Sequence, residues 1–414
     1  MIKAMAKRTT NGWRLRWRQA CGWAWWPMVF LVFGRFACLA ADSAALPSPP
    51  PSGSIVDLTY TETPYSVNNL AITLTEQATP FKHEPLPGGK TIRGALNFGA
   101  ATNSIAFFWQ RDAGKLFLDL NQNPDLTNDP AGVFPNSGAR SYNYQTFTNI
   151  PLALRTPAGA IRVVADLAFF NYGPRPTCSA ALHSFWQGRV TLGGQDWQVG
   201  LVPDFTQTNF CAGGGLLLRP WARRDEPFSA GGNTYDALPF SPKVFVAGRA
   251  YQVRCLPAVR GAEFSPSLQW TERTVPLGDL KVTGRFIRRL VLTGGDSLVI
   301  CERPAEMVKV PTGAYSSPRV LLEQNGAQAF CTAAQSVASK SILVTGQGPA
   351  VLAVGGPLTN SVSTMRRGED LVLSYQLLGA GGGYQMVNVD RSKPPAFAVY
   401  QGQKQIAAGS FEFG

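Results

Sequence analysis

Residues 105–110 set Ile105, Phe107 and Trp109 against Ala106, Phe108 and Gln110 with a period of two, the spacing of a strand whose faces differ. The four residues Arg111-Asp112-Ala113-Gly114 read as a turn, and the run 115–120 as the returning strand of a hairpin. The same short period recurs at 286–292, 319–323, 350–354, 370–378, 384–389 and 396–400, with a last strand through Phe411 and Phe413. No window holds a 3.6-residue apolar period between helix caps. The pattern predicts an all-β chain of several β-sandwich or immunoglobulin-like modules in series.

Turn chemistry supports this reading. The chain carries 42 Gly and 31 Pro, and only 15% of its residues are charged, a balance that suits many short strands better than long helices. Three stretches share a small-Gly-x-x-aromatic pattern: LGGQDWQV at 192–199, AGGNTY at 230–235 and AGRAYQV at 247–253. Each predicts a tight turn feeding an aromatic residue into the next strand. The plain expectation is three similar hairpins; the alternative is a ligand-facing row of Trp197, Tyr235 and Tyr251.

Charge changes the picture at the N-terminus. Residues 1–40 contain seven basic residues (Lys3, Lys7, Arg8, Arg14, Arg16, Arg18 and Arg35) and no acid, so the remainder carries 31 − 26 = +5 of the formal +12. A basic segment to Arg18, an apolar stretch at 21–40 and small residues near Ala40 have the layout of an export signal, with an uncleaved anchor as the alternative. No basic stripe interleaved with aromatics follows, so nucleic acid is not an expected partner. Membrane contact is expected through the signal segment alone. The expected divisions are 1–40 signal peptide, 41–54 Pro/Ser linker, and 55–274 a β-rich region with room for two subdomains. A small β-sandwich at 275–340 and an immunoglobulin-like module at 341–414 complete the chain.

Export permits disulfides, each worth roughly 2–4 kcal/mol. Sequence-local pairing would join Cys178 to Cys211 and Cys301 to Cys331, leaving Cys255 as a buried thiol on the strand face of Tyr251 and Val253. No C-x-x-C is present, so no zinc or redox motif is supported.

The densest chemistry lies at 116–129, LFLDLNQNPDLTND, where Asp119, Asn121, Asn123, Asp125 and Thr127 alternate and Asp129 closes. Alternate oxygen-bearing side chains are what a hard cation such as calcium requires of a tight loop. Two departures weaken the match. Pro124 stands where the sharp turn needs Gly, and Pro130 where a bidentate Glu would close the site. The loop also leaves a strand, not a helix. The sequence therefore predicts weak calcium binding or none, with the same side chains capping their own backbone as Asx-turns.

With the hairpin LGGQDWQV and the terminal GSFEFG at 409–414, this loop resembles parts of a group of uncharacterised exported bacterial proteins. Their pattern is L-Y-L-D-L-N-x-D-x-D-L-T-x-D, then L-G-G-x-x-[WY]-x-V, then S-G-x-F-E-[FY]-G. The resemblance implies a secreted β-rich protein and no known activity. It also implies a second acidic loop after the Trp hairpin; here that stretch is VPDFTQTN at 202–209, with Asp204 its one strong ligand.

Catalytic patterns are incomplete. Gly295-Asp296-Ser297-Leu298 spells an esterase motif, but the histidines, His83 and His183, both lie upstream of it. No G-x-S-x-G, phosphate-binding G-x-x-x-x-G-K-[ST] or H-E-x-x-H occurs. Asp166, Asp236, Glu263 and Glu272 lie near aromatics and could form a glycosidase pair only if the fold joined them. The sequence reads best as an exported, non-catalytic structural or binding protein of the periplasm, cell surface or extracellular space, with a protein or polysaccharide partner. The alternatives are a hydrolytic or carbohydrate-active enzyme on a β scaffold, and a carbohydrate-binding protein.

Overall fold

The computed structural model describes residues 2–9, 12–15, 53–75, 81–84, 89–99, 103–138, 141–156, 159–202, 204–205, 214–226, 229–230, 233–234, 236–256, 259–260, 263–333, 341–368, 370–380, 384–386 and 394–411. The apolar stretch at 21–40 and residues 41–52 of the expected linker lie outside them, whereas Gly53 and Ser54, the last two linker residues, open the strand Gly53–Asp57. Among the described residues the helical pieces are single 3-10 turns, Pro130–Gly132 and Trp221–Arg223; everything else with regular structure is strand. The protein is all-β, built from several packed sheets.

Hairpins form where the periodicity places them. Ser104–Gln110 pairs antiparallel with Lys115–Leu118, with Gln110 opposite Lys115 across the expected turn. The glycine hairpins also form. Gly193 (φ 56°) and Gly194 (φ 78°) close one, Ala247 (φ 51°) and Gly248 (φ 74°) another. Two successive left-handed residues are the turn that matches strand twist. These two turns pack on each other: a Cβ on Gly193 would lie 2.6 Å from the Ala247 carbonyl oxygen, and the Gly193 N–H donates to the Tyr251 hydroxyl at 2.9 Å. Ser229–Ala230 pairs with Asn233–Thr234 as a third hairpin, whose Tyr235 lies outside the described residues.

Long-range pairing assembles these units. One core lies among a ten-stranded sheet running from Val259–Arg260 to Val133–Pro135, a five-stranded sheet centred on Gln195–Val202, and the strands Arg249–Leu256 and Ser267–Arg273. A second core lies between Ile287–Gly294, Ser297–Glu302 and Gly313–Gln324 on one side and a small sheet on the other. That small sheet consists of Met307–Pro311, Leu277–Val282 and Ala350–Leu352. A third, minor core joins Leu373 and Tyr375 to Phe411. Lys243–Val246 pairs in parallel with Ser297–Glu302, so one sheet runs across the division at 274/275. Ile342–Val344 and Ala350–Leu352 join the strands of 275–340, so pairing also runs across 340/341.

The sheet order rules out one disulfide. Cys301 lies opposite Leu290, Leu290 opposite Val320, and Val320 opposite Cys331. Three inter-strand steps of about 4.8 Å put the two Cα atoms about 14 Å apart, twice what a disulfide spans. Cys178, Cys301 and Cys331 are buried free thiols; Cys255, expected to be buried, is half-buried against the first core, and Cys211 lies outside the described residues. Burial pushes Cys301 up to about 12 and Cys331 up to about 11, which keeps them as inert core residues.

Between the five-stranded sheet and the second core sits a buried ion cluster. The Asp236 carboxylate lies 3.1 Å from Arg223, 3.3 Å from Arg289 and 3.7 Å from Arg219. Arg219 also donates to Gln198 Oε1 at 2.6 Å, Arg289 pairs with Glu302 at 2.6 Å, and Arg289 donates to the Leu218 carbonyl. Charges this deep survive only when paired and hydrogen-bonded. The cluster therefore ties the two sheets together in one register.

Candidate functional site

The acidic loop is held by a hairpin at its base. Leu116 and Leu118 point into the first core, and Val133–Pro135 returns to pair with 115–117. The Asp119 N–H extends the ladder by donating to the Ala106 carbonyl at 2.9 Å, so the strand itself fixes where Asp119 stands. Leu126 is buried and pins the middle of the loop. Residues 81–84 run alongside: Lys82 N–H donates to Pro124 at 2.8 Å, and Leu126 N–H to His83 at 3.0 Å.

Side-chain oxygens then fold the loop upon itself. Asn123 N–H donates to Asp119 Oδ1 at 3.0 Å and to Asn121 Oδ1 at 3.1 Å. Asp125 N–H donates to Asn123 Oδ1 at 2.8 Å, and Thr127 N–H to Asp125 Oδ1 at 2.9 Å. Three of these are the expected Asx-turns in series, Asn121, Asn123 and Asp125 each capping the backbone two positions on, while Asp119 reaches four positions on. Thr127 Oγ1 adds a hydrogen bond to Asp125 Oδ1 at 2.6 Å. Two residues of the bend have positive φ: Gln122 at 59°, two positions before the place where the calcium pattern carries Gly, and Pro124 at 38°, at that place itself.

Two carboxylates are left in costly surroundings. Asp119 is only 3% exposed and Asp129 9%. Burial raises the Asp119 pKa above its ordinary value, and the charges of Asp129 and Asp125 raise it further against the opposing Asn123 N–H. Asp129 precedes the turn Pro130–Gly132, yet its side chain does not cap that turn, and its Oδ2 is buried without a hydrogen-bond partner. Asp125, by contrast, is held below its ordinary value, first by the Thr127 hydroxyl. Among the described residues no three Asp, Glu, His or Cys side chains stand in a ready ligating geometry. The donor set, hard carboxylate and amide oxygens around an orphaned Oδ2, has the chemistry of a calcium or magnesium site.

The other sequence candidates disperse into structural roles. Asp166 Oδ2 lies 3.0 Å from His183 Nε2. That contact falls off the ring N–H axis, so it acts as an ion pair more than as a hydrogen bond. Asp236 belongs to the arginine cluster, and Glu272 pairs with Arg249 at 2.8 Å. The Glu263 side chain lies outside the described residues. Ser297 opens a strand after the hairpin turn at Gly295-Asp296, and Asp296 pairs with Lys243 at 2.8 Å. The alternative of an exposed aromatic row is corrected: Trp197 and Tyr251 are 1% and 7% exposed, because period two points them into the first core.

The ion cluster and a cationic cleft around Arg285 and Arg303 were missed by sequence reasoning. Their signal was the presence of arginine inside apolar strands, at Arg219 in 216–220 and at Arg288-Arg289 in 287–292. An arginine at a core position announces a buried carboxylate partner without saying which one. No protein-family model matches the chain, and no curated protein or solved structure matches it.

Proposed function

We propose that the chain is an exported, non-catalytic structural or binding protein of the periplasm, cell surface or extracellular space, whose acidic loop takes up a calcium ion. The observation that carries the reading is how the acidic side chains are used. The described carboxylates singled out as catalytic candidates are each engaged by a basic partner: Asp236 by three arginines, Asp166 by His183, Glu272 by Arg249. The exception is the loop, where Asp119, Asp125 and Asp129 crowd one another and Asp129 Oδ2 has no partner. A hard divalent cation relieves that repulsion with oxygens already present. Export is supported by the basic and apolar layout of residues 1–40.

Calorimetric titration of calcium into the full chain tests the cation. A saturable isotherm in the range of about 10⁻⁴–10⁻³ M typical of extracellular modules is expected, lost in Asp119→Ala. Absence of saturable heat, or an isotherm indifferent to Asp119, overturns it. A hydrolytic activity of the purified protein that one Asp or Glu substitution abolishes would overturn the non-catalytic reading.

A further inference from the structure

A cleft of about 800 Å³ opens beside the small sheet, between the segment 283–286 that enters Ile287–Gly294 and the segment 303–306 that leaves Ser297–Glu302. Its size suits a ligand of a few sugar rings. Four cations line it, Lys281, Arg285, Arg288 and Arg303, against two anions, Glu306 and Glu323. The anions are already engaged. Glu306 lies 3.2 Å from Lys281, and Glu323 pairs with the largely buried Arg288, which also holds Glu226. Arg303 is 77% exposed and reaches Glu323 only at 3.8 Å. The Arg285 side chain makes no ion pair or hydrogen bond with a described residue, and it is exposed. On facing walls, the Arg285 side chain is therefore unpaired among the described residues and Arg303 is held only by its long contact to Glu323.

Backbone strain marks the same two walls. Phe286 stands at φ 61° and Arg303 at φ 44°, in the left-handed region that a plain turn fills with Gly or Asn. Phe286 is nevertheless a large aromatic and 42% exposed. The neighbouring turn has no slack: a Cβ on Gly284 would fall 1.5 Å from the Val354 carbonyl oxygen, and one on Gly356 would fall 2.7 Å from the Phe286 ring. The edge of the ring thus rests on Gly356, and its conformation is imposed from below. Strained non-glycine residues concentrate where a side chain must be presented.

From this geometry we infer that the cleft binds an acidic oligosaccharide, with Phe286 stacking on a sugar ring and Arg285 and Arg303 receiving carboxylates. A guanidinium fork matches a planar carboxylate through two parallel hydrogen bonds. One open ring on a polar, cationic floor suits an anionic glycan better than a peptide, whose apolar side chains would need pockets. The site names a ligand class for the binding-protein reading and rests on that reading; it is independent of calcium.

The test is titration of tetragalacturonate into the full chain, beside a carboxyl-reduced neutral tetramer and tetra-aspartate. The acidic sugar is expected to bind, the neutral sugar about ten-fold or more weaker, and the Arg285→Gln/Arg303→Gln double variant likewise about ten-fold or more weaker. Phe286→Ala should weaken both sugars, which a purely electrostatic surface would not do. Binding that survives the double variant, equal binding of tetra-aspartate, or no binding of either sugar by a folded protein overturns the site. Cleavage of the tetramer during titration would overturn the non-catalytic reading and leave the site standing.

Discussion

Asp236 accepts a hydrogen bond from Arg223 Nη2 at 3.1 Å, with the carboxylate wholly buried and the guanidinium nearly so. Asp236 closes the five-stranded sheet region, and Arg289 on the other sheet reaches the same carboxylate at 3.3 Å. One acid thus answers cations from two sheets. Removing it strands buried guanidinium groups, so Asp236→Asn is expected to cost about 3–5 kcal/mol in urea unfolding. A loss below about 1 kcal/mol would mean that water reaches the cluster.

The acidic loop predicts a change of sign. Without calcium, Asp129 adds an uncompensated buried charge beside Asp119. Asp129→Asn should therefore be neutral or stabilising by up to about 1 kcal/mol in chelator. In excess calcium the wild-type chain should become the more stable one. Thermal melts of both proteins in the two conditions check this; parallel shifts in both would rule out a cation at the loop.

The His183–Asp166 pair gives a pH dependence. The Asp166 contact raises His183 above its ordinary value although burial opposes it. Burial pushes Asp166 up, but the His183 contact and the Asn149 N–H outweigh it and hold it below its ordinary value. Stability from His183 is full below about pH 6.5 and lost as pH rises through its folded value; that from Asp166 is full above about pH 3.9 and lost as pH falls through its own. Asp166→Asn should therefore cost about 1 kcal/mol more near pH 5.5 than near pH 9. Urea melts with equal losses at the two pH values would show that the pair carries no charge.

Thiol chemistry is a simple check on sheet order. Cys301 and Cys331 stand three inter-strand steps apart on one row and are buried. They should resist a thiol reagent in the native state and both react on unfolding, with no shift in Tm on adding reductant. A Cys301–Cys331 bond found by peptide mapping would contradict the strand order.

Gly193 reports the packing of the two glycine turns. A Cβ there meets the Ala247 carbonyl at 2.6 Å and the residue sits at φ 56°. Gly193→Ala should cost about 1–3 kcal/mol, whereas Gly194→Ala, with nothing within 4 Å, should cost only its left-handed strain of about 1 kcal/mol. Equal losses would mean that the turns do not touch.

Much of this was legible along the chain. Period-two runs and glycine turns predict the hairpins at 104–118, 184–202 and 243–256, because strand alternation and left-handed turn residues act over a few positions. The Asx-turns of the loop followed for the same reason. The pairing of Cys301 with Cys331 failed because closeness in sequence says nothing of how many strands lie between. What the sequence alone determined is the local β character and its turns. What only the tertiary structure decided is the parallel join of Lys243–Val246 to Ser297–Glu302, the convergence of Arg219, Arg223 and Arg289 on Asp236, and the facing of Arg285 and Arg303. Backbone ladders bond any strand to any other, so the choice of partners comes from burying every apolar face and every charge at once.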